Sequence, residues 1–386
     1  MVFWLPVEYR KAVYRIMSDV DWREPVDACL HQLFFKCFGP KFPPAMRFSL
    51  DGAAKVGQSL GNTMNYMRFA FGLPGRFLGR GKGSWLWVLL SAAFFYSSPL
   101  GAETFRVAAY NVETYLDQPT ESRRHAKSDA AKAKVRESIE AMKPDVIALE
   151  EMGSTNALLE LRASLKADGL DFPYWEHVQG YDTNIHVAVL SRFPISARHP
   201  HTNDDFLLDG RRFRVSRGFS EVEIQVATNF WFTLIGVHLK SQRPIPEADE
   251  ADLRLQEARV LRGIIDEHFR ADPAIKMVVL GDFNDVQNSA STRAVIGRGK
   301  FKLFDTRPAE RNGDNAPNPE PREAPRKITW TDYYGVEDSY SRIDYILLSP
   351  AMKRDWVAEG TYIPTIPNWG VGSDHRPVVA AFETGN

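Results

Sequence analysis

Asn111 and Glu113, Glu150 and Glu151, His238, Asp282 and Asn284, and Asp374 and His375 all stand beside short apolar runs. The runs are FRVAAY before Asn111, DVIAL before Glu150, FTLIGV before His238, MVVL before Gly281-Asp282, and VVAAF after Ser373-Asp374-His375-Arg376-Pro377. Carboxylates and amides are the donors a hard divalent cation prefers. Two histidines add groups that can move a proton near neutral pH. Together these residue types suit metal-assisted attack on a phosphate.

Such side chains are useful only if something rigid brings them together. The flanking runs are short and rich in Val, Ile and Phe, the signature of buried strands. Each run therefore delivers its polar residue to one rim of a sheet. Between them the sequence predicts a helix over 130–142, stopped by Pro144, and a second capped by Ser154 or Thr155 through about Asp168. A strand at 186–191 and a hairpin of 219–226 with 230–238 follow, turning at 227–229. The longest helix is expected over 247–270, with Leu253, Leu261, Ile264, Ile265, His268 and Phe269 on one side. Strands near 328–331, 343–349 and 377–382 end the chain, after a Pro- and Asn-rich loop at 308–326.

Taken in order, the motifs from Phe105 to Phe382 resemble the endonuclease/exonuclease/phosphatase superfamily. The resemblance implies an α/β (α+β) four-layer sandwich of two facing mixed β-sheets flanked by helices. It makes Glu151 the metal ligand that closes an L-x-E strand, with Glu150 standing where Gln is usual. Asp374 becomes a metal-site carboxylate, and Glu113 a further contact or a loop acid that only tunes the potential. Asn111 falls beside the metal and the scissile phosphate, Asp282 positions or deprotonates the nucleophilic water, and Asn284 donates to the phosphate. His375 is the catalytic histidine and Asp344 the acid that fixes its ring. His238 binds phosphate or protonates the leaving group, and members that act on abasic sites carry Tyr there. Lys240 is a candidate phosphate contact or plain surface; Asn184 and Arg192 rank as structural or peripheral. The implied cofactor is Mg²⁺, with Mn²⁺ or Ca²⁺ as alternatives.

Composition limits the partners. The 386 residues are 44% hydrophobic and carry a net charge of −1. The first 102 residues hold 12 Lys and Arg against 6 Asp and Glu; the rest hold 36 against 43. A domain that grips duplex DNA through its phosphates usually has a basic surplus, which the motif-bearing part lacks. Cys29 and Cys37 are the only cysteines, and with no nearby His pair they do not make a zinc site. Residues 84–96 (SWLWVLLSAAFFY) follow Arg80 and Lys82 and precede SSPLGA, the layout of a secretory signal peptide ending at Ala102. Residues 1–83 then read as a poorly ordered extension, with an amphipathic piece at Trp4–Phe38, or as sequence upstream of a true start at Met64 or Met67. The expectation is a monomer with a catalytic domain over 103–386. It is exported with no membrane span after cleavage if the 84–96 run acts as a signal peptide, and cytoplasmic or membrane-anchored if that run is instead a buried core helix or an interfacial anchor. Its substrate is a phosphate ester, nucleic acid first. The alternatives are a phosphomonoester or lipid headgroup, and a binding domain that kept the fold. No loop reads as an exposed hydrophobic hairpin of the kind membrane-active members carry; Phe230-Trp231-Phe232 reads as strand.

Overall fold

The computed structural model describes residues 103–120, 123–311 and 327–385. The expectations for Trp4–Phe38, 39–83 and the apolar run 84–96, and most of the 308–326 loop, lie outside these residues. Within them the chain runs β1 (Thr104–Tyr115), α1 (Asp129–Met142), β2 (Val146–Met152), α2 (Thr155–Ala167), β3 (Tyr174–Val178), β4 (His186–Ser191) and β5 (Ile195–Arg198). It continues through β6 (Asp205–Leu208), β7 (Arg211–Arg214), β8 (Phe219–Ala227), β9 (Phe230–His238), α3 (Glu250–Ala271), β10 (Met277–Asp282) and α4 (Ala290–Ile296). The last elements are β11 (Phe304–Asp305), β12 (Asp332–Tyr334), β13 (Ser339–Ser341), β14 (Asp344–Leu348), β15 (Trp356–Tyr362) and β16 (Val378–Glu383).

Two six-stranded sheets form, in the orders β15-β16-β1-β2-β4-β3 and β11-β14-β10-β9-β8-β5. Period-two alternation sends the two faces of each strand to different layers. Phe105, Val107, Val146 and Ala148 from the first sheet meet Phe232, Leu234, Val278 and Leu280 from the second in a shared core. The opposite face of the first sheet, through Ala108, Tyr110, Ile147 and Leu149, packs on Val135, Ile139, Leu158 and Leu161 of α1 and α2. Ile235, Val237, Val279 and Tyr345 do the same against Ala258, Leu261, Ile265 and Phe269 of α3. The layers are helix, sheet, sheet, helix, a mixed α/β sandwich.

Each sheet contains one parallel pair, β1 with β2 and β9 with β10. Their partners β16 and β14 run antiparallel to β1 and β10. The carboxyl ends of four strands thus lie on the same rim as the amino ends of two others. Asp282 sits opposite both His238 and Asp344 in register, and Asn111 sits opposite Glu150. This topology assembles the site.

Helix ends are fixed by local chemistry. The side chains of Ser128, Ser154 and Asp249 cap α1, α2 and α3, and Lys143 closes α1 in the left-handed region just before Pro144. Glu250 and Asp252 open α3, and His268 and Arg270 close it, matching its dipole. One local expectation fails, and the strands β15 and β3 go unforeseen. Residues 328–331 are not a strand; β12 begins at Asp332 and pairs only with β13. The strand β15 was not foreseen, because a register shift between Val357 and Tyr362 and a mostly half-exposed surface erase its alternation. The edge strand β3 was hidden for a similar reason, since only Val178 of its five residues is buried.

Phe105 is the centre of the inter-sheet core, its ring 5.4 Å from Phe382, 5.6 Å from Phe230 and Phe232, and 6.0 Å from Phe193. Phe105→Ala should lower the unfolding free energy by about 3–5 kcal/mol. A denaturant titration showing a loss below about 1 kcal/mol would mean that the sheets can close over the cavity.

Candidate active site

Asp282 ends β10 with its side chain buried between the sheets. Its Oδ2 accepts from Asn111 Nδ2 at 3.0 Å and from Asn284 Nδ2 at 3.1 Å, while Oδ1 accepts from the Asn284 backbone N–H at 2.7 Å. His238 Nε2 lies 3.5 Å from the same Oδ2. His375 Nε2 lies 3.8 Å from it, and His375 Nδ1 is 3.0 Å from Asp344 Oδ2. One carboxylate therefore meets residues from both sheets. Ser373 joins them on the other side: its Oγ donates to the Asn111 carbonyl at 2.7 Å and accepts from the His375 N–H at 3.0 Å.

Burial sets the protonation states. It pushes the Asp282 pKa up, His375 opposes that, and Asp344 adds to it. For His375 burial disfavours the charge, yet the carboxylates of Asp344 and Asp282 outweigh it and hold its pKa well above 6.5. Burial, then Arg217 and His375, drives His238 well below 6.5, so this ring is neutral and suited to donating rather than releasing a proton.

The acids expected at a metal gather at the outer edge of this hub. Thr114 N–H donates to Glu151 Oε2 at 2.9 Å, and the Lys127 ammonium donates to the Glu113 carbonyl at 2.7 Å. Burial, then Asp374, raises the Glu113 pKa, with a contribution from Glu151. The side chains of Glu113 and Asp374 are 45% and 51% exposed, so their oxygens are free to take a ligand. Oxygen-only donors with surplus negative charge and one nearby ammonium fit a hard divalent cation. Among the described residues two groups have ligand atoms within 4.8 Å of one another: Asp282, Asp344 and His375, and Asp332, Asp374 and His375. Glu151 belongs to neither.

Backbone strain concentrates on this rim. Glu113, Thr114, Glu151 and Asn284 all have φ between 41° and 58°, the left-handed region that most side chains avoid. The register of β1 on β2 slips between Asn111 and Tyr115. Asn111 and Glu113 thus reach the site through a bulge rather than through regular period-two spacing, and the Asn111 amide oxygen accepts from the Glu113 N–H at 3.0 Å.

Other side chains go elsewhere. Lys240 Nζ donates to the carbonyls of Ser241 and Arg243, at 2.9 and 2.8 Å, with its side chain buried. Arg192 pairs with Asp145, beside the start of β2 and away from the rim. Asn184 lines a cavity of about 280 Å³ with Asp117, Ser154 and His186. Sequence reasoning missed Asp332. Its Oδ1 is 3.8 Å from His375 Nε2, and burial, against the pull of His375, lifts its pKa to about 6. No apolar run flanks Asp332, so no pattern marks it.

Glu150, beside the expected ligand, points inward. It is fully buried, and neither carboxyl oxygen has a hydrogen-bond partner. A Cβ on Gly281 would stand 2.7 Å from Glu150 Oε1 and 2.1 Å from the Val237 carbonyl, so the bare backbone of Gly281, at φ 128°, makes the room. Burial, then Asp344 and Asp282, holds the Glu150 pKa well above 4.5.

The model of the Endonuclease/Exonuclease/phosphatase family matches residues 108–375, and the chain belongs to that family of phosphoester hydrolases. Among solved structures, a beta toxin from Staphylococcus aureus is 17% identical, over 72% of this chain and 99% of that one, at a TM-score of 0.50. Sphingomyelinase C from Streptomyces griseocarneus is 20% identical over 72% and 99%, at 0.47. The human Nocturnin catalytic domain is 14% identical over 73% and 97%, at 0.48. At these identities the likeness is one of fold. No curated protein matches the sequence.

The buried acid generates a prediction. Glu150 keeps a proton in the folded state that the unfolded chain releases above about 4.5, so wild-type stability falls as pH rises past that point. Glu150→Gln removes the linkage. In metal-free protein the variant should gain stability over wild type progressively as the pH rises above about 4.5. Denaturant midpoints differing by a constant amount across that range would mean that Glu150 titrates like an exposed side chain.

Proposed function

We propose that this family member is a divalent-metal-dependent phosphodiesterase, first of all a nuclease. The observation that supports it best is the convergence of Asn111, Asn284, His238 and His375 on the buried carboxylate of Asp282, with His375 held by Asp344. Glu151, Asp374 and Glu113 would hold the cation, Mg²⁺ in this reading, which when bound neutralises charge on the phosphate. Asp282 accepts the proton of the attacking water, a task suited by its raised pKa. Asn111 and Asn284 hold that carboxylate in one orientation. His375, kept cationic by Asp344, faces the phosphate with its Nε2–H, stabilises the growing negative charge and gives that proton to the leaving oxygen. Neutral His238 donates beside it. The reading includes export, on the apolar run 84–96 and the small residues that follow it. Among the described residues no helix is long and apolar enough to cross a membrane.

Separating loss of the cation from loss of proton handling tests these roles. Glu151→Ala should weaken Mg²⁺ binding and rate together, with partial return at high Mg²⁺ or with Mn²⁺. His375→Ala should bind Mg²⁺ nearly as before, yet cut the rate about 10²–10⁴-fold with no rescue by added metal. Asp344→Asn should fall between them, because it loosens the ring without deleting it. Calorimetric Mg²⁺ titrations paired with rates on methyl p-nitrophenyl phosphate decide the matter. Lost binding in His375→Ala with intact binding in Glu151→Ala would reverse the assignment.

A further inference from the structure

The β12–β13 hairpin is the one element at the rim that sequence reasoning did not supply. It is bound to the site by its backbone: Tyr333 N–H donates to the Asp374 carbonyl at 3.1 Å, Arg376 N–H donates to the Thr331 carbonyl at 2.6 Å, and Asp332 bridges to His375. One face of the ribbon is locked by rings. Tyr333 lies 4.8 Å from Tyr340, Tyr340 lies 4.9 Å from Trp330, and Trp330 lies 5.6 Å from Trp369. The Arg376 guanidinium sits 4.1 Å from the Trp330 ring.

The other face carries Asp332 and, two residues on, Tyr334. Alternation puts both side chains on the same side of the strand. Asp332 already reaches to 3.8 Å from His375 Nε2. Tyr334 stands one strand repeat further out, roughly 6.6 Å along the chain. Its ring is 50% exposed and has no hydrogen bond or ring contact among the described residues. An aromatic side chain with no ring partner thus stands on a strand whose backbone is tied beside His375.

We propose that Tyr334 is a specificity-determining residue that stacks on an unpaired nucleobase next to the scissile phosphate. The inference rests on the phosphodiesterase reading and narrows its substrate to single-stranded nucleic acid. Every base offers a π-face, and stacking needs no basic groove. That suits a region in which acids outnumber bases 43 to 36. A bilayer is disfavoured by the hairpin turn, where Glu337 and Asp338 directly follow its single apolar residue, Val336. Inserting the tip would bury two carboxylates in lipid.

Two strands of equal length provide the test, an oligothymidylate and the same strand with every base removed. Tyr334→Ala should lower kcat/KM on the oligothymidylate roughly five- to hundred-fold, mainly through KM, and leave the abasic strand unchanged. Tyr334→Trp should restore the lost activity. Equal losses on both strands, or no loss on the base-bearing one, would overturn the assignment. Hydrolysis of methyl p-nitrophenyl phosphate without cleavage of either strand would also overturn it, and would leave the phosphodiesterase reading standing. Hydrolysis of none of the three would remove both.

Discussion

The hydrogen bond from Asn111 to Asp282 crosses between the two sheets at the rim, where their largely apolar shared core ends. It joins residues 171 positions apart. A charge-assisted bond of this kind, sealed from water, is stronger than its neutral counterpart, and its loss would leave Asn284 alone to hold a buried carboxylate. The two halves of the sandwich must therefore close in one register for the site to exist. The Ser373 bond to the Asn111 carbonyl ties the third contributor, the loop bearing His375, to the same point.

Around that bond the protein concentrates features that cost stability. Glu150, Asp282 and Asp344 are all buried, and only His375 supplies a nearby positive charge within the hub. Four non-glycine residues on the rim take left-handed backbone, at of order 1–3 kcal/mol each. The three hydrophobic clusters offset these costs, and the rings about Phe105 are the densest part of the inter-sheet one. A rigid core supporting a strained, charged rim is what a preorganised electrostatic site requires.

The hairpin at 332–341 changes how the site's surroundings are understood. Lying just beyond the strand expected at 328–331, it is a small ribbon that presents Asp332 to His375 and leaves Tyr334, Val336 and Tyr340 exposed. The chain does carry an exposed aromatic hairpin, contrary to the sequence reading, but with acids at its turn. The surface next to His375 is aromatic and acidic rather than basic.

The sequence by itself determined the strands that reach the rim and the polar residues they carry there, while the layering followed only from the family resemblance. Short apolar runs ending in Asn111, Glu151, His238 and Asp282 were legible because buried strands must be apolar up to the rim, and the polar residue marks where the core stops. Helix ends were legible for an equally local reason, the caps at Ser154 and Lys143 beside Pro144. Tertiary structure alone decided which of two adjacent glutamates turns inward. Glu150 follows the alternation of Val146 and Ala148 into the inter-sheet space, while Glu151 turns to the rim at a positive φ. It also decided that Asp332 faces His375, that Lys240 serves backbone carbonyls, and that β15 completes a sheet. Each of these depends on contacts between residues distant in sequence. Periodicity reports only which side of a single element is buried, so no local pattern could carry them.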